Sequence, residues 1–280
     1  MRKLNKPTEN AVEVYRTCIS RVRNADLKNR LELIEPEIEN AALSFDTAAI
    51  EASLYTLPTQ NDVGGVAKNE MEKVYTQRMA KEDAPGRFIY EQLLNSAPHN
   101  KCPLCCQGNV TTLDHHLPKA HYPSLVVVPV NLVPACADCN KAKLHDIPRC
   151  AEEQTLHPYY DNVENEIWLR AEVIRSSPAA LRFYVESPGT WDVIKAKRVH
   201  YHFKVYRLAN LYASNSGSEL VNIRHGLKGI FIQEGAVAVR AHIERQAATY
   251  EAAHINSWQA AMYRALKACN WFCEGGFQEE

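Results

Sequence analysis

Residues 102–143 read CPLCCQGNVTTLDHHLPKAHYPSLVVVPVNLVPACADCNKAK. Two C-x-x-C pairs, Cys102 with Cys105 and Cys136 with Cys139, lie near the ends of this stretch and are separated by 30 residues. Each pair can direct two thiolates at one ion, and two pairs complete the tetrahedral four-thiolate shell that structural Zn²⁺ prefers. The sequence therefore predicts a structural zinc site, with no open coordination position, that holds the intervening segment.

The segment between the pairs, with the residue after the last cysteine, contains side chains that phosphodiester hydrolysis requires. Asp114 and Asn140 offer oxygen atoms of the kind that Mg²⁺ binds. His115 or His116 can take a proton from water, because an unperturbed imidazole titrates near neutral pH. The residues alone do not decide between the two histidines, since adjacent side chains on a regular strand point to opposite faces. The predicted nucleic-acid contacts are His116, Lys119, Lys141 and Lys143.

This combination of motifs resembles the HNH nucleases (His-Me finger or ββα-metal nucleases), in the form with a four-cysteine zinc site. The matching motifs are C-x-x-C, L-D-H-H-L-P, N-L-V-P-A-C and C-x-x-C-N-x-x-K. The resemblance implies that Asp114 binds the catalytic Mg²⁺ or Mn²⁺ and that His115 is the general base. It further implies that Asn131 holds the loop that orients this histidine and that Asn140 is the second metal ligand. His116 is then a phosphate contact or a structural hydrogen-bonding residue. Asp114 and His115 can act together only if the strand ends or is distorted there.

A longer pattern, DHHLPK-x-x-YP followed later by HPYYD, resembles the HNH proteins of bacterial antiphage systems. The group that this pattern suggests is the Septu-type nucleases, including those found with retrons. This narrower resemblance implies DNA as the substrate and a partner ATPase in a defence complex. The roles of His121, His157 and Tyr159 stay open, although packing is the preferred interpretation for the HPYYD turn.

The flanking segments predict a mainly α protein with a small α+β insert. Residues 1–97 contain apolar side chains at helical spacing and are interpreted as a scaffold or partner-binding region, interrupted by a loop at residues 59–69. Residues 98–163 are the predicted HNH core with its zinc site. Residues 164–280 are predicted to form a β-hairpin followed by helices, which include continuous helical patterns over 191–213, 219–231 and 236–272.

Charge and composition restrict the class of protein. The net charge of −1 argues against a globally basic nucleic-acid coat, but residues 181–250 carry 10 Lys and Arg against 5 Asp and Glu, a local excess of five positive charges. The N-terminus lacks an apolar leader, and no run approaches 18 apolar residues, so a cytoplasmic protein without a membrane partner is expected. Disulfides are not expected there, and Cys269 and Cys273 are interpreted as core residues.

Two other functions remain open. A zinc module that binds nucleic acid or protein without catalysis would need the same four cysteines, but it has no use for Asp114, His115 and Asn140 together. An RNase of the same fold would use the same residues, since metal-assisted attack by water cleaves either backbone.

Overall fold

The computed structural model describes residues 1–143 and 147–278. The chain divides into two compact units, Met1–Asn162 and Val163–Glu280. Within the described residues most of the chain is helical, and the strands form two-stranded antiparallel sheets. The prediction of a mainly helical protein with a small strand content is therefore confirmed. None of the described helices is long and apolar enough to cross a membrane.

The first unit begins with helices whose ends follow from local sequence. Asn10 caps the first helix, since its side chain accepts hydrogen bonds from the backbone N–H groups of Val12 and Glu13. Asn24 caps the second helix in the same way, through the N–H of Leu27. The helices of this region are α1 (Ala11–Ile19), α2 (Ala25–Leu33), α3 (Glu35–Ile50), α4 (Lys68–Arg78) and α5 (Arg87–Leu94).

The segment predicted as a loop at residues 59–69 contains a short hairpin. Strands β1 (Asp62–Val63) and β2 (Val66–Ala67) pair across Gly64 and Gly65, whose φ angles are 53° and 83°. Two consecutive positive φ angles match a tight hairpin turn, and glycine adopts them without a steric penalty. The Gly-Gly pair thus reverses the chain between α3, which ends at Ile50, and α4, which begins at Lys68.

The cysteine-rich segment folds as two strands followed by a helix. Strand β3 (Thr112–His115) pairs antiparallel with β4 (Leu132–Ala135), and α6 (Ala137–Lys143) follows directly. Asp114 lies opposite Val133 in the register, and His115, the last residue of β3, lies opposite Leu132. Asp114 and His115 therefore sit at the end of their strand.

One apolar core joins these strands to the preceding helices. It includes Tyr15, Phe45 and Met71 from the helical region together with Val126 and Leu132 from the cysteine-rich segment, and each is fully buried. Burial of one large apolar side chain contributes about 1.5–3 kcal/mol relative to exposure. Residues on both sides of position 97 therefore stabilise the same compact unit.

The second unit consists of a hairpin and long helices. Its elements are β5 (Leu169–Ile174), β6 (Ala180–Val185), α7 (Val193–Val205), α8 (Leu208–Ala253) and α9 (Trp258–Ala268). The continuous helix predicted over 191–213 is broken at Arg207, which has a left-handed φ of 50°. The one predicted over 236–272 is broken between Ala253 and Trp258, where Ser257 caps α9. Within the span of α8, two helical segments meet at a kink at Gly235, whose φ of 77° is non-helical, and this kink lies between the patterns predicted over 219–231 and 236–272.

Candidate functional site

The four predicted zinc cysteines come together as one buried cluster. The sulfur atoms of Cys102, Cys105, Cys136 and Cys139 all lie within 4.8 Å of one another, and each residue is buried. The Cys105 and Cys136 sulfur atoms are 3.8 Å apart. A tetrahedral zinc site with Zn–S distances of about 2.3 Å has sulfur–sulfur edges of about 3.8 Å. The cluster is therefore compatible with a structural Zn²⁺, as the spacing of the pairs predicts.

The backbone around the first knuckle is shaped to bring these thiols together. Gly108 donates its backbone N–H to the Cys105 sulfur at 3.4 Å, and its carbonyl accepts from the Cys102 N–H at 2.8 Å. A Cβ atom at position 108 would lie 2.7 Å from both the Cβ and the sulfur of Cys136. Hydrogen bonds from neighbouring thiols, first of all that of Cys102, lower the pKa of both Cys105 and Cys136. Hydrogen bonds of the same kind raise the pKa of Cys102 and Cys139, and all four residues bind a metal as thiolates.

Asp114 and His115 lie beside the last residue of α6. The Lys143 ammonium donates to the backbone carbonyl of His115 at 2.7 Å and to Asp114 Oδ2 at 3.4 Å. Both members of this ion pair are buried. Burial raises the pKa of Asp114 above its ordinary value, whereas the neighbouring Lys143 acts in the opposite direction. Asn140 is half-buried on α6, three residues before Lys143, and so it lies on the same side of that helix.

The His115 ring is held by a backbone carbonyl and a tyrosine. Its Nε2 atom is 2.9 Å from the carbonyl oxygen of Val126, which can only accept, so Nε2 carries the proton. Burial lowers the pKa of His115 to about 3 and keeps the imidazole neutral at neutral pH. Within residues 1–143 and 147–278, no group is hydrogen-bonded to Nδ1. The Tyr75 ring packs edge-on against the imidazole with centroids 4.4 Å apart. The arrangement leaves His115 Nδ1 as a proton acceptor.

Asn131 closes the loop between β3 and β4. Its Oδ1 atom accepts from the Leu117 N–H at 2.7 Å, and its Nδ2 donates to the carbonyls of Leu117 and Leu125 at 3.1 and 3.2 Å. The side chain is fully buried, and all three bonds go to loop backbone. Because Val126 directly follows Leu125, these bonds also fix the carbonyl that orients His115.

No protein-family model matches the chain, and no solved structure matches it. The chain is similar to protein ea31 of Escherichia phage lambda. The two are 28% identical over 296 residues, which cover 98% of this chain and 100% of that protein. The similarity is thus not confined to the cysteine-rich segment.

The predicted nucleic-acid contacts occupy different environments. Lys141 is exposed on α6, and Lys119 is half-buried with its ammonium 5.1 Å from the centre of the Tyr75 ring. His116 is buried, and its ring lies 4.2 Å from that of His157. Lys143 is buried against Asp114, so in this structure its ammonium is not presented to solvent. Lys119 and Lys141 are therefore the more accessible members of the set.

The HPYYD turn packs beneath the strands. His157 Nε2 donates to the Val130 carbonyl at 3.0 Å, while the Tyr159 hydroxyl donates to the Leu132 carbonyl at 2.8 Å. The His157 ring also packs edge-on against Phe45 of α3. His121 lies on the loop after β3, and its carbonyl accepts from the Gln60 N–H at 2.9 Å.

Sequence reasoning did not single out Tyr75 or Val126. Tyr75 is 40 positions from His115 in the chain, and no local motif marks it. Its hydroxyl donates to the Leu113 carbonyl at 3.2 Å, so the residue supports both the strand and the histidine. Val126 contributes through its backbone carbonyl, which no side-chain pattern reports. Helical spacing identifies Tyr75 only as a core residue of α4.

Proposed function

We propose that the chain is a metal-dependent endonuclease of the HNH type that hydrolyses phosphodiester bonds of DNA. The observation that carries the proposal is the neutral His115 imidazole, oriented by Val126 and placed directly after the Asp114 carboxylate. The order β3–β4–α6, with paired cysteines before and after the two strands, supports the same reading. An imidazole whose Nε2–H is fixed by a carbonyl presents Nδ1 as a proton acceptor, and a phosphate group beside the ring would raise its depressed pKa toward the neutral range in which a general base works best.

In this proposal each side chain of the site has a defined role. Nδ1 of His115 takes a proton from the attacking water, and the Nε2–H bond to Val126 stabilises the imidazolium that results. Asn131 keeps the loop in place while the ring changes charge. Asp114 and Asn140, a carboxylate and an amide, form a donor set that suits Mg²⁺ or Mn²⁺. When bound, such a cation would neutralise charge on the leaving oxygen.

Nucleic acid is the substrate class that the charge distribution favours. Lys197, His200 and Lys204 are exposed on α7 at intervals of three and four residues, and so they lie along one side of that helix. Basic side chains arranged in this way suit a phosphate backbone. The partner ATPase and the role in antiphage defence rest on the resemblance to the Septu-type nucleases. The net charge of −1 fits a nuclease held in a complex better than one that binds DNA unaided.

The test is a nicking assay on supercoiled plasmid and, in parallel, on structured RNA. The zinc-loaded chain is incubated with Mg²⁺, with Mn²⁺ and without added divalent cation. His115→Ala is compared with His121→Ala, which removes a histidine from the loop that follows β3. We expect plasmid nicking that needs the added cation, survives His121→Ala and is lost in His115→Ala. Nicking that persists in His115→Ala would exclude this histidine as the base, and cleavage of RNA alone would select the RNase alternative.

A zinc module that binds nucleic acid or protein without catalysis is the second candidate. The buried Asp114–Lys143 ion pair favours it, because the ammonium neutralises the carboxylate that a catalytic cation would need. Such a module would bind DNA equally well with His115 or alanine at that position, and it would cleave no substrate under any of the three cation conditions.

A further inference from the structure

Lys143 occupies an unusual position for a lysine. Lysines are almost never fully buried unless they are paired, yet Lys143 is only 5% exposed at the end of α6. Its ammonium is directed at the Asp114 carboxylate and the His115 carbonyl. Lys141, two residues earlier on the same helix, is exposed. The burial is therefore specific to the lysine that contacts the proposed base and the proposed metal ligand.

A lysine in this place competes with a divalent cation. The Asp114 carboxylate, which accepts from Lys143, is also the group that the cation would take. An ammonium and a dication at the same carboxylate repel each other, and this repulsion is weakly screened because the pair is buried. Occupation of the site by the cation thus requires the ammonium to move away from Asp114.

A phosphate group of the substrate can draw the ammonium away. The lysine side chain is a flexible four-carbon stem with a point charge, so the ammonium can exchange acceptors without movement of the backbone. A phosphodiester oxygen replaces the carboxylate as a charged acceptor.

We propose that Lys143 is a positioning residue that holds Asp114 in the free protein and releases it to the cation when a nucleic-acid phosphate binds the ammonium. This inference rests on the proposed function. It couples the two ligands: DNA strengthens binding of the cation, and by linkage the cation strengthens binding of DNA by the same factor. The site then assembles fully only on its substrate.

The experiment measures Mn²⁺ binding to the full, zinc-loaded chain by calorimetry, with and without a short DNA duplex. All proteins carry His115→Ala so that the duplex stays intact. Lys143→Met removes the charge with little change in length, Lys141→Met is the matched control, and Lys143→Arg keeps the charge. Asp114→Asn establishes which part of the Mn²⁺ signal belongs to this site. Zinc content and far-UV circular dichroism check the fold of each variant.

We expect Lys143→Met to bind Mn²⁺ about tenfold more tightly without DNA than the parent does, and Lys141→Met to differ from the parent by less than about twofold. DNA should tighten Mn²⁺ binding about tenfold in the parent and in Lys143→Arg, but by less than about threefold in Lys143→Met. These factors correspond to the lower part of the usual range for coupling between sites.

Two results would overturn the inference, and they differ from each other. Mn²⁺ binding that depends on Asp114 but is equal or weaker in Lys143→Met, with the DNA effect retained, would make Lys143 a structural link only. No binding that depends on Asp114 in any variant would remove the proposed catalytic site itself. If Lys143→Met does not fold, Lys143→Gln, which also removes the charge but keeps a polar end group, is measured in its place against the same two outcomes.

Discussion

Replacement of Asn131 by alanine is expected to destabilise the first unit by about 3 kcal/mol. The buried side chain makes three hydrogen bonds to loop backbone, and alanine leaves their partners on Leu117 and Leu125 unsatisfied. Each such bond contributes about 1 kcal/mol net, and an unsatisfied buried group costs about 1–3 kcal/mol. Three bonds therefore give a sum near 3 kcal/mol, a large part of the roughly 5–15 kcal/mol that stabilises a typical domain.

The positions of the tryptophans decide which unit each method reports on. Every tryptophan in the chain, at positions 168, 191, 258 and 271, belongs to the second unit. Tryptophan fluorescence in urea consequently follows the second unit, whereas amide hydrogen exchange read by mass spectrometry follows peptides of the first. Asn131→Ala should accelerate exchange through global opening in the first unit, and tryptophan fluorescence reports separately on the second unit of the same molecule.

Asn10→Ala provides the comparison variant. Asn10 caps α1 with two side-chain hydrogen bonds near the surface, and loss of such a cap costs about 1 kcal/mol. If Asn131→Ala destabilised the first unit no more than Asn10→Ala, the loop would be held mainly by apolar packing. Asn131 would then not be the residue that fixes the Val126 carbonyl facing His115.

Three further predictions concern the knuckle and the histidine. Gly108→Ala should reduce zinc occupancy, measured by elemental analysis, because its Cβ would lie 2.7 Å from the Cys136 sulfur; Gly229→Ala, with open space around its Cβ, should not. The pKa of His115 near 3 is depressed by burial, so below pH 6.5 the unfolded chain binds a proton that the folded chain does not. In buffer without Mg²⁺, His115 should lower the free energy of unfolding of the first unit by about 1.4 kcal/mol per pH unit as the pH falls from about 6 to 4.5, so in urea titrations the pH slope for this unit should be smaller by that amount in His115→Gln. Tyr75→Phe should cost about 1 kcal/mol through its lost hydrogen bond yet keep nicking activity, since the ring still packs on the imidazole, and loss of nicking would contradict this.

The cysteine cluster and the helical class were accessible from sequence because both depend on local patterns. Two C-x-x-C pairs constrain their own geometry, and apolar residues at helical spacing mark the faces of α1 and α3. The breaks at Arg207 and before Trp258 were not predicted, because no proline or glycine marks them. Tertiary contacts account for the second break: the Asn256 side chain accepts from the Trp168 N–H at 3.0 Å, a contact distant in sequence.

The residues of the candidate site also fall into two groups, those that local motifs predict and those that only tertiary packing reveals. Asp114, His115 and Asn131 fall within motifs and were named from sequence, whereas Tyr75 and the Val126 carbonyl were not. The sequence also predicted that Lys143 contacts a phosphate of the nucleic acid. The position of its ammonium, however, depends on how closely α6 packs on β3. Burial of the lysine against Asp114 is a property of that packing and has no signature in the order of residues.

The apolar core shared by the N-terminal helices and the β3–β4 pair limits how this site can be inherited or transplanted. A fragment of residues 98–163 alone would lose Tyr15, Phe45 and Met71 from its core. It would also lose Tyr75, whose ring packs against His115. A transplant of this site into another protein would therefore have to include the helices that complete its core.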